Sequence, residues 1–383
     1  MTDGETPLRP RVCMVAPSIH PIVGGLERQL EDIIPALRDH GVDAWVLTRR
    51  VPGTPRRETY RGFEIRRVPV IGGAGLRSIS FTLFGAIEIM RRRRNVDIVH
   101  AHGIMSPATV AVLTGLILRK PRLITLHAVF ELERLFSKPL GKARLRLYRA
   151  VVDRFISITR DIGELLRDQG VAASRILDIP NGIDTARFVP ALPDERAAFR
   201  VQHGIEQTDR VVVFVGRLHR VKQVDLLLRA WRRVHSGHLW ILGDGSEREQ
   251  LEQLATELAI RERVTFHGMV TNVDQWVSSA DVFVLPSASE ALSMALLEAM
   301  GVGITVVASA VGAANELIVD GYNGLLVPPG DIDALAAALQ KAIDNDEWRA
   351  MAGLRSQTVV AEQFDLRVVA EQLASVYHAV RDP

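Results

Sequence analysis

Apolar residues along this chain fall into two alternating textures. Short, nearly continuous runs predict buried strands, and stretches with an apolar residue at every third or fourth position predict helices packed by one face. Residues 11–16 form the first run, and Leu26, Leu30, Ile33, Ile34 and Leu37 then repeat at helical spacing until Gly41. Strands are predicted over 43–48, 97–100, 122–126, 155–158 and 176–180, and helices over 106–118 and 161–167, with a basic helical stretch after the third of these strands. The Asn181-Gly182 turn leads out of the last one. Strand then helix, repeated, predicts a parallel sheet covered by helices.

From 184 to 207 the chain turns polar and Pro-containing, with one short helical piece over 195–201, and reads as a linker. The alternation then restarts. Strands are predicted over 211–215, 238–242, 264–266, 281–285 and 304–308, and helices over 224–234, 247–258, 273–278, from near 292, and over 331–343. The pattern predicts two doubly wound α/β domains with parallel sheets, 1–185 and 186–365, and a C-terminal helix over 366–383 that could pack back on the first. In such domains ligand-binding loops sit at the carboxyl ends of strands, and a cleft between the two is the expected site.

A length of 383 residues suits two cores better than one, and 47% hydrophobic with 24% charged residues is the composition of a soluble globular protein. Cys13 is the only cysteine, which excludes an intrachain disulfide and a cysteine metal cluster; its apolar run predicts an inert buried thiol. The first eleven residues have no apolar core of a secretory signal, and the longest apolar helical run, 108–118, is too short to span a bilayer. A cytoplasmic protein is expected. The net charge of +2 conceals an asymmetry: 29 Lys and Arg against 19 Asp and Glu up to Thr185, then 18 against 26. Basic and acidic halves meet different partners, or hold together partly by charge.

The stretch over 280–301, ADVFVLPSASEALSMALLEAMG, reads as strand, loop and helix, with Glu290 in the loop and Glu298 in the helix. A rise of ~1.5 Å per residue separates Leu292 from Glu298 by ~9 Å, too far for one close acid/base pair. Free amides at the helix start lie between the carboxylates and favour an anion. A ligand with hydroxyls at both ends and charge in its middle fits this arrangement; a solvated loop Glu and a surface helix Glu are the alternative. The strand over 211–215 ends in Gly216-Arg217-Leu218, with Lys222 following, and an Arg and a Lys leaving one strand end can hold a diphosphate. Gly24-Gly25 follows the first strand, where backbone can approach a phosphate or sugar, but neither G-x-G-x-x-G nor a P-loop is present. His127 closes a strand and is expected to point into the cleft; His100 and His102 share a strand face as packing or acceptor contacts. Asp331-Ile332-Asp333 and Asp344-Asn345-Asp346 have the D-x-D form of metal-dependent sugar transferases, but each sits at a helix start and reads as structural.

Together these segments resemble the retaining GT-B glycosyltransferases of family 4 (group 1), and among them the phosphatidylinositol- and lipid-directed sugar transferases. The resemblance rests on VGGLERQLEDIIPALRDHG, DIVHAH, LITLH, IPNGID, FVGRLHRVK, ILGDGSER, VTFHGMV, SEALSMALLEAMG and ELIVDGYNGLLVPPGD, in that order. It implies two Rossmann-like domains around a cleft and metal-independent transfer of a hexosyl unit, with retention, from a nucleotide-diphosphate sugar to an acceptor hydroxyl. No cofactor is implied beyond the nucleotide-sugar co-substrate. Glu290 would bind the donor sugar, with Ala291 and Leu292 beside it, and Glu298 the ribose; Gly216, Arg217 and Lys222 would hold the diphosphate. His127 would support the transferred sugar, Gly24 and Gly25 would close over it, and the base would lie near 266–270, His267 among them, largely against backbone. The catalytic set implied is His127, Glu290, Arg217 and Lys222, with the leaving phosphate taking the acceptor proton.

Four positions depart from the family pattern: Ala291, Gln223 and Ala313 replace glycines, and Ile304 a proline. The acceptor would be a lipid, a glycan or a small molecule, with no nucleic acid involved. Lys142, Arg144, Arg146 and Arg149, together with His102 and the run 91–94, suggest a surface for an anionic acceptor or for peripheral membrane association; a solvated Arg-rich surface is the alternative. A GT-B nucleotide-sugar epimerase and a non-catalytic nucleotide-sugar-binding protein are the competing readings.

Overall fold

A computed structural model describes residues 9–206 and 208–382. Residues 1–8, on which most of the no-signal reading rests, and Pro383 at the end of the expected C-terminal helix lie outside it, as does Gln207 at the end of the expected linker. The chain divides into two compact units, one running through Gly182 and resuming at Leu366, the other Ile183–Asp365. The division falls just before the residue-185 boundary expected from sequence, because Ile183 bridges to Asp365 and the Thr185 hydroxyl bonds the Asp365 carboxylate.

The first unit holds an eight-stranded sheet in the order β3-β4-β2-β1-β5-β6-β7-β8. Its strands are β1 (Arg11–Val15), β2 (Asp43–Arg49), β3 (Arg57–Tyr60), β4 (Phe63–Val68), β5 (Ile98–His102), β6 (Arg122–Leu126), β7 (Arg154–Ser157) and β8 (Ile176–Asp178). All pairings are parallel except β3 with β4. Val12 and Met14 of β1 join Leu30, Ile33 and Leu37 of the helix Gly25–Asp39 in one core, which Leu373 and Tyr377 complete from the helix Leu366–Arg381. Cys13 is fully buried, and burial pushes its thiol pKa well above the usual range, so it is an inert core residue.

The second unit is an all-parallel six-stranded sheet, β11-β10-β9-β12-β13-β14. Its strands are β9 (Val211–Val215), β10 (His238–Leu242), β11 (Val264–Gly268), β12 (Val282–Leu285), β13 (Thr305–Ser309) and β14 (Leu325–Val327). The hairpin β3–β4, the strand β14 and the helices Ala74–Arg91 and Asp346–Gln363 were not expected from the sequence. In β4 the charges hid the strand: Phe63 and Ile65 point to the core, while Glu64 and Arg66 make ion pairs with Arg92 and Glu88.

The expected linker is instead part of the second unit. The helix Pro193–Gln202 sends Arg200 to Asp281 at 2.7 Å and Arg196 to the same carboxylate at 2.6 Å. Asp281, nearly inaccessible, also accepts the Val211 amide at 2.7 Å. A buried carboxylate requires such partners, and here they come from a segment whose polarity resembled a solvated connection.

Candidate functional site

Strand β12 runs apolar into Pro286, which cannot continue a ladder, and the chain turns through 287–292 before the helix Met294–Val302 begins. Ser293 is the N-cap, its hydroxyl accepting the Leu296 amide at 3.3 Å. Leu292, expected to open the helix, therefore lies outside it, buried beside the loop. Glu290 sits at the loop's midpoint, where Oε1 accepts from the Ser287 hydroxyl at 2.6 Å and from the Lys222 ammonium. Glu298 is only 3% exposed, on a helix buried all round, so it is no ordinary surface glutamate.

Lys222 arrives from the loop after β9. The Ala288 amide donates to the Val221 carbonyl at 2.8 Å, which ties this loop to the one carrying Glu290. Two glycines allow neighbouring turns to approach. A Cβ on Gly243 would lie 1.9 Å from the Gly216 carbonyl oxygen, and one on Gly312 would lie 2.1 Å from that of Glu290. Arg217 is exposed and its guanidinium makes no hydrogen bond or ion pair among the described residues, so it is available to an anion. Carboxyl ends of β9, β12 and β13 thus bring together Gly216, Lys222, Glu290 and Ala291, the last accepting the Ala313 amide at 2.8 Å.

The departures from the family pattern acquire physical content here. Gln223 has φ +49°, a left-handed backbone that glycine adopts without cost, and its Oε1 is buried with no hydrogen-bond partner. Ala313, at φ −62°, needs no glycine. The ring of His267 is packed against Trp276, with centroids 4.2 Å apart, and edge-on to Trp240 and His203. Burial lowers its pKa to about 4. The His267 ring thus has aromatic neighbours, and the backbone contact expected of this stretch is a separate matter from its side chain.

The D-x-D pairs are structural. Asp331 caps the helix Ile332–Asp344 by accepting the Ala334 amide, and Asp333 pairs with Arg233. In the second pair the cap is Asn345, while Asp344 accepts from Gln340 and Asp346 holds Arg210 and Arg349.

In the first unit Gly24 is the N-cap and Gly25 the first residue of the helix Gly25–Asp39. His127 follows β6, and its Nε2 lies 3.1 Å from Nδ1 of His102, the last residue of β5. His100 lies tilted against His102 with centroids 4.4 Å apart and bonds the Tyr377 hydroxyl at 2.6 Å and the Thr125 hydroxyl at 2.7 Å. Burial depresses His100 to about 3 and His127 to about 4, and holds His102 well below its ordinary value, so all three rings are neutral near pH 7. His102 is buried against His127 and does not belong to a solvent-facing surface.

Sequence reading missed Glu131. Its two carboxylate oxygens accept the Ile104 and His127 amides, each at 2.8 Å, and so clamp the loops after β5 and β6 together. Its place four residues after His127, at the start of the helix Phe130–Phe136, was the available signal. Of the basic helix Gly141–Val151, Lys142, Arg146 and Arg149 are exposed, but Arg144 is half-buried and bonded to the Met105 carbonyl, the Thr109 hydroxyl and the Tyr148 hydroxyl. Arg144 is a structural arginine, not part of a free cationic face.

Two family profiles account for most of the chain: "Glycosyltransferase Family 4" matches residues 23–187 and "Glycosyl transferases group 1" matches residues 195–358. The chain belongs to this glycosyltransferase family. Its relatives include the lipopolysaccharide core biosynthesis glycosyltransferase LpsD of Rhizobium meliloti, 29% identical with 92% of this chain and 95% of that protein covered. A D-inositol 3-phosphate glycosyltransferase of Xylanimonas cellulosilytica is 27% identical, with 96% of each chain covered. Among solved structures, Anabaena HepE in complex with UDP superposes with a TM-score of 0.81 at 22% identity, covering 96% of this chain and 100% of that one. Sucrose-phosphate synthase from Thermosynechococcus elongatus gives a TM-score of 0.80 at 24% identity, covering 97% and 99%. These likenesses establish the fold of this glycosyltransferase as GT-B, two Rossmann-like domains of parallel sheets flanked by helices. As a group 1 glycosyltransferase it belongs to enzymes that use nucleotide sugars. Among the described residues no helix is long and apolar enough to cross a membrane.

Proposed function

We propose that this glycosyltransferase moves a hexosyl unit from a nucleotide-diphosphate sugar to an acceptor hydroxyl with retention of anomeric configuration and without a metal ion. The observation that carries the reading is the joining of Lys222 and Glu290 across two strand-end loops, beside an uncommitted Arg217. The donor's sugar would be held by the Glu290 carboxylate, its diphosphate by Arg217 and Lys222, and its ribose by Glu298.

Charge builds on the diphosphate as the glycosidic bond breaks. Two cations placed on that group stabilise the departing charge in the role a divalent ion fills elsewhere, and such preorganised donors are worth several kcal/mol. The leaving phosphate, on the same face of the sugar as the incoming hydroxyl, would accept its proton. No side-chain base is then required, and the neutral His127 fits a hydrogen-bonding role toward the transferred sugar. His127, Gly24 and Gly25 belong to the first unit, and their part in the reaction is included in the proposal. The acceptor is a lipid, a glycan or a small molecule, with Lys142, Arg146 and Arg149 available to an anionic one. UDP and UDP-glucose are bound by Anabaena HepE, which makes uridine nucleotides the first donors to try.

The test is a thermal-shift panel of UDP-, GDP- and ADP-sugars, followed by product analysis with lipid and soluble acceptors. One donor should stabilise the fold and be slowly hydrolysed when no acceptor is present, with the new linkage keeping the donor's configuration and activity surviving chelation by EDTA. An inverted product or loss of activity with EDTA would remove those elements of the reading. Conversion of a nucleotide sugar to its epimer without any acceptor would favour the epimerase, and tight binding with no turnover would favour the binding protein.

A further inference from the structure

The helices Ala74–Arg91 and Ser106–Leu118 lie side by side on one face of the first unit's sheet, with Gly85 of the first seated on Val110 of the second. Their inward positions, including Phe81, Ala86 and Ile89, and Ala108 and Val110, are buried. Their outward positions are apolar as well. Leu76, Ile79 and Leu83 recur at helical spacing along the first helix, and Leu113, Leu116 and Ile117 along the second. Ile79 is 66% exposed and Ile117 55%. The two helices are direct neighbours, so both outward rows belong to the same helical layer of the first unit. Contiguous exposed apolar area of this kind marks an interaction site rather than ordinary solvent-facing surface.

Charge around this surface decides among partners. Arg77 stands within the first row, Arg91 ends that helix with Arg93 and Arg94 just after it, and Arg119 caps the second; all are exposed. Glu88, the single carboxylate on either helix, is half-buried and bound by Arg66. A second copy of the chain docked here would set arginine against arginine, which costs free energy, whereas an anionic bilayer satisfies the apolar rows and the cations together. With no helix among the described residues able to span a membrane, the contact would be interfacial.

We propose that this face seats the first unit on an anionic lipid surface, with the six leucine and isoleucine side chains at the level of the acyl boundary and Arg77 and Arg119 against the phosphates. The basic helix Gly141–Val151 adjoins the second of these helices, Arg144 bonding Thr109 one turn before Leu113, and the proposal is independent of the donor chemistry.

The test is co-sedimentation of the full chain with phosphatidylcholine vesicles containing phosphatidylglycerol, and with phosphatidylcholine alone. Binding to the anionic vesicles should exceed binding to the neutral ones and weaken as salt is raised. The Ile79→Asp, Leu116→Asp double variant should partition at least about tenfold more weakly, because two side chains that would enter the lipid are replaced by charges that lipid phosphates repel. Its thermal unfolding and donor-induced shift should match the wild type, since both positions face solvent. Arg77→Gln with Arg119→Gln supplies a second variant, expected to lose the salt-sensitive part of binding. Equal partitioning of wild type and the Asp variant, no preference for anionic vesicles, or no binding at all would overturn the proposal. So would a wild-type dimer in light scattering that the Asp variant abolishes, which would assign the face to a second copy.

Discussion

The Lys222 ammonium and the Glu290 carboxylate form an ion pair, with the Ser287 hydroxyl on the same Glu290 oxygen at 2.6 Å. Each charge neutralises the other, and both side chains are largely withdrawn from water. In the proposed reaction a bound diphosphate would compete for Lys222 and release Glu290 toward sugar hydroxyls. Lys222→Ala and Glu290→Ala should each lower kcat by about 100-fold. The double variant should lose less than the product of the two, because the groups act as a unit. Glu298→Ala should instead mainly raise the donor KM. Steady-state kinetics on the four variants checks this, and unchanged kinetics for both glutamate variants would refute the site.

Gln223→Gly should raise stability by about 1 kcal/mol. The native φ of +49° costs a side-chain-bearing residue about that much, and removal of a buried unpartnered Oε1 adds to the gain. Urea unfolding of the second unit's signal would show the midpoint move upward with the slope unchanged.

Gly312→Ala should have the opposite effect. The new Cβ would fall 2.1 Å from the Glu290 carbonyl oxygen in a backbone already at φ +51°, so the Glu290 loop must shift. Donor-induced thermal stabilisation should be lost in this variant, and its own unfolding midpoint should drop by an amount equivalent to roughly 2 kcal/mol or more.

His102 shares a hydrogen bond with His127, so one of the two nitrogens at 3.1 Å carries the proton and the ring orientation of His127 is held. His102→Leu removes that partner and should lower kcat by about tenfold, the scale of one lost hydrogen bond at a reacting centre. His102→Asn, which can still donate from a similar position, should recover part of the loss. Equal activity in the Leu variant would assign His102 to packing alone.

Acid should destabilise the fold in a defined window. Burial holds His100 at about 3 and His127 and His267 at about 4, against an ordinary value of 6.5. Below pH 6.5 the unfolded chain therefore takes up protons that the folded chain refuses, so the stability contributed is complete above 6.5 and drains as pH falls toward 4. Urea midpoints measured from pH 7.5 to 4 should be level at first and then decline, and His267→Phe should make the decline shallower. A midpoint independent of pH across that window would contradict the buried, neutral state of these rings.

Much of the fold is legible along the chain because buried parallel strands read as unbroken apolar runs and their helices as periodic ones. β1, β6 and β9 through β13, with the helices between them, follow from that pattern alone, and so do the strand ends that carry Arg217, Lys222, His127 and Glu290. The signal failed where charge is satisfied inside the fold. The arginines of the helix Pro193–Gln202 resembled a solvated linker because their partner, Asp281, lies far along the chain, and Glu64 and Arg66 masked β4 for the same reason. Two glutamates in the 280–301 stretch and the cations after β9 could be proposed as parts of one site. Only the packed loops set Lys222 against Glu290, brought Gly312 beneath the Glu290 backbone, sent the His267 ring into the tryptophan cluster and closed Glu131 over the His127 loop. Residue type and spacing determine which groups reach a strand end, because the period of the backbone does. Which groups meet there depends on contacts between distant segments, and those are decided by packing in three dimensions.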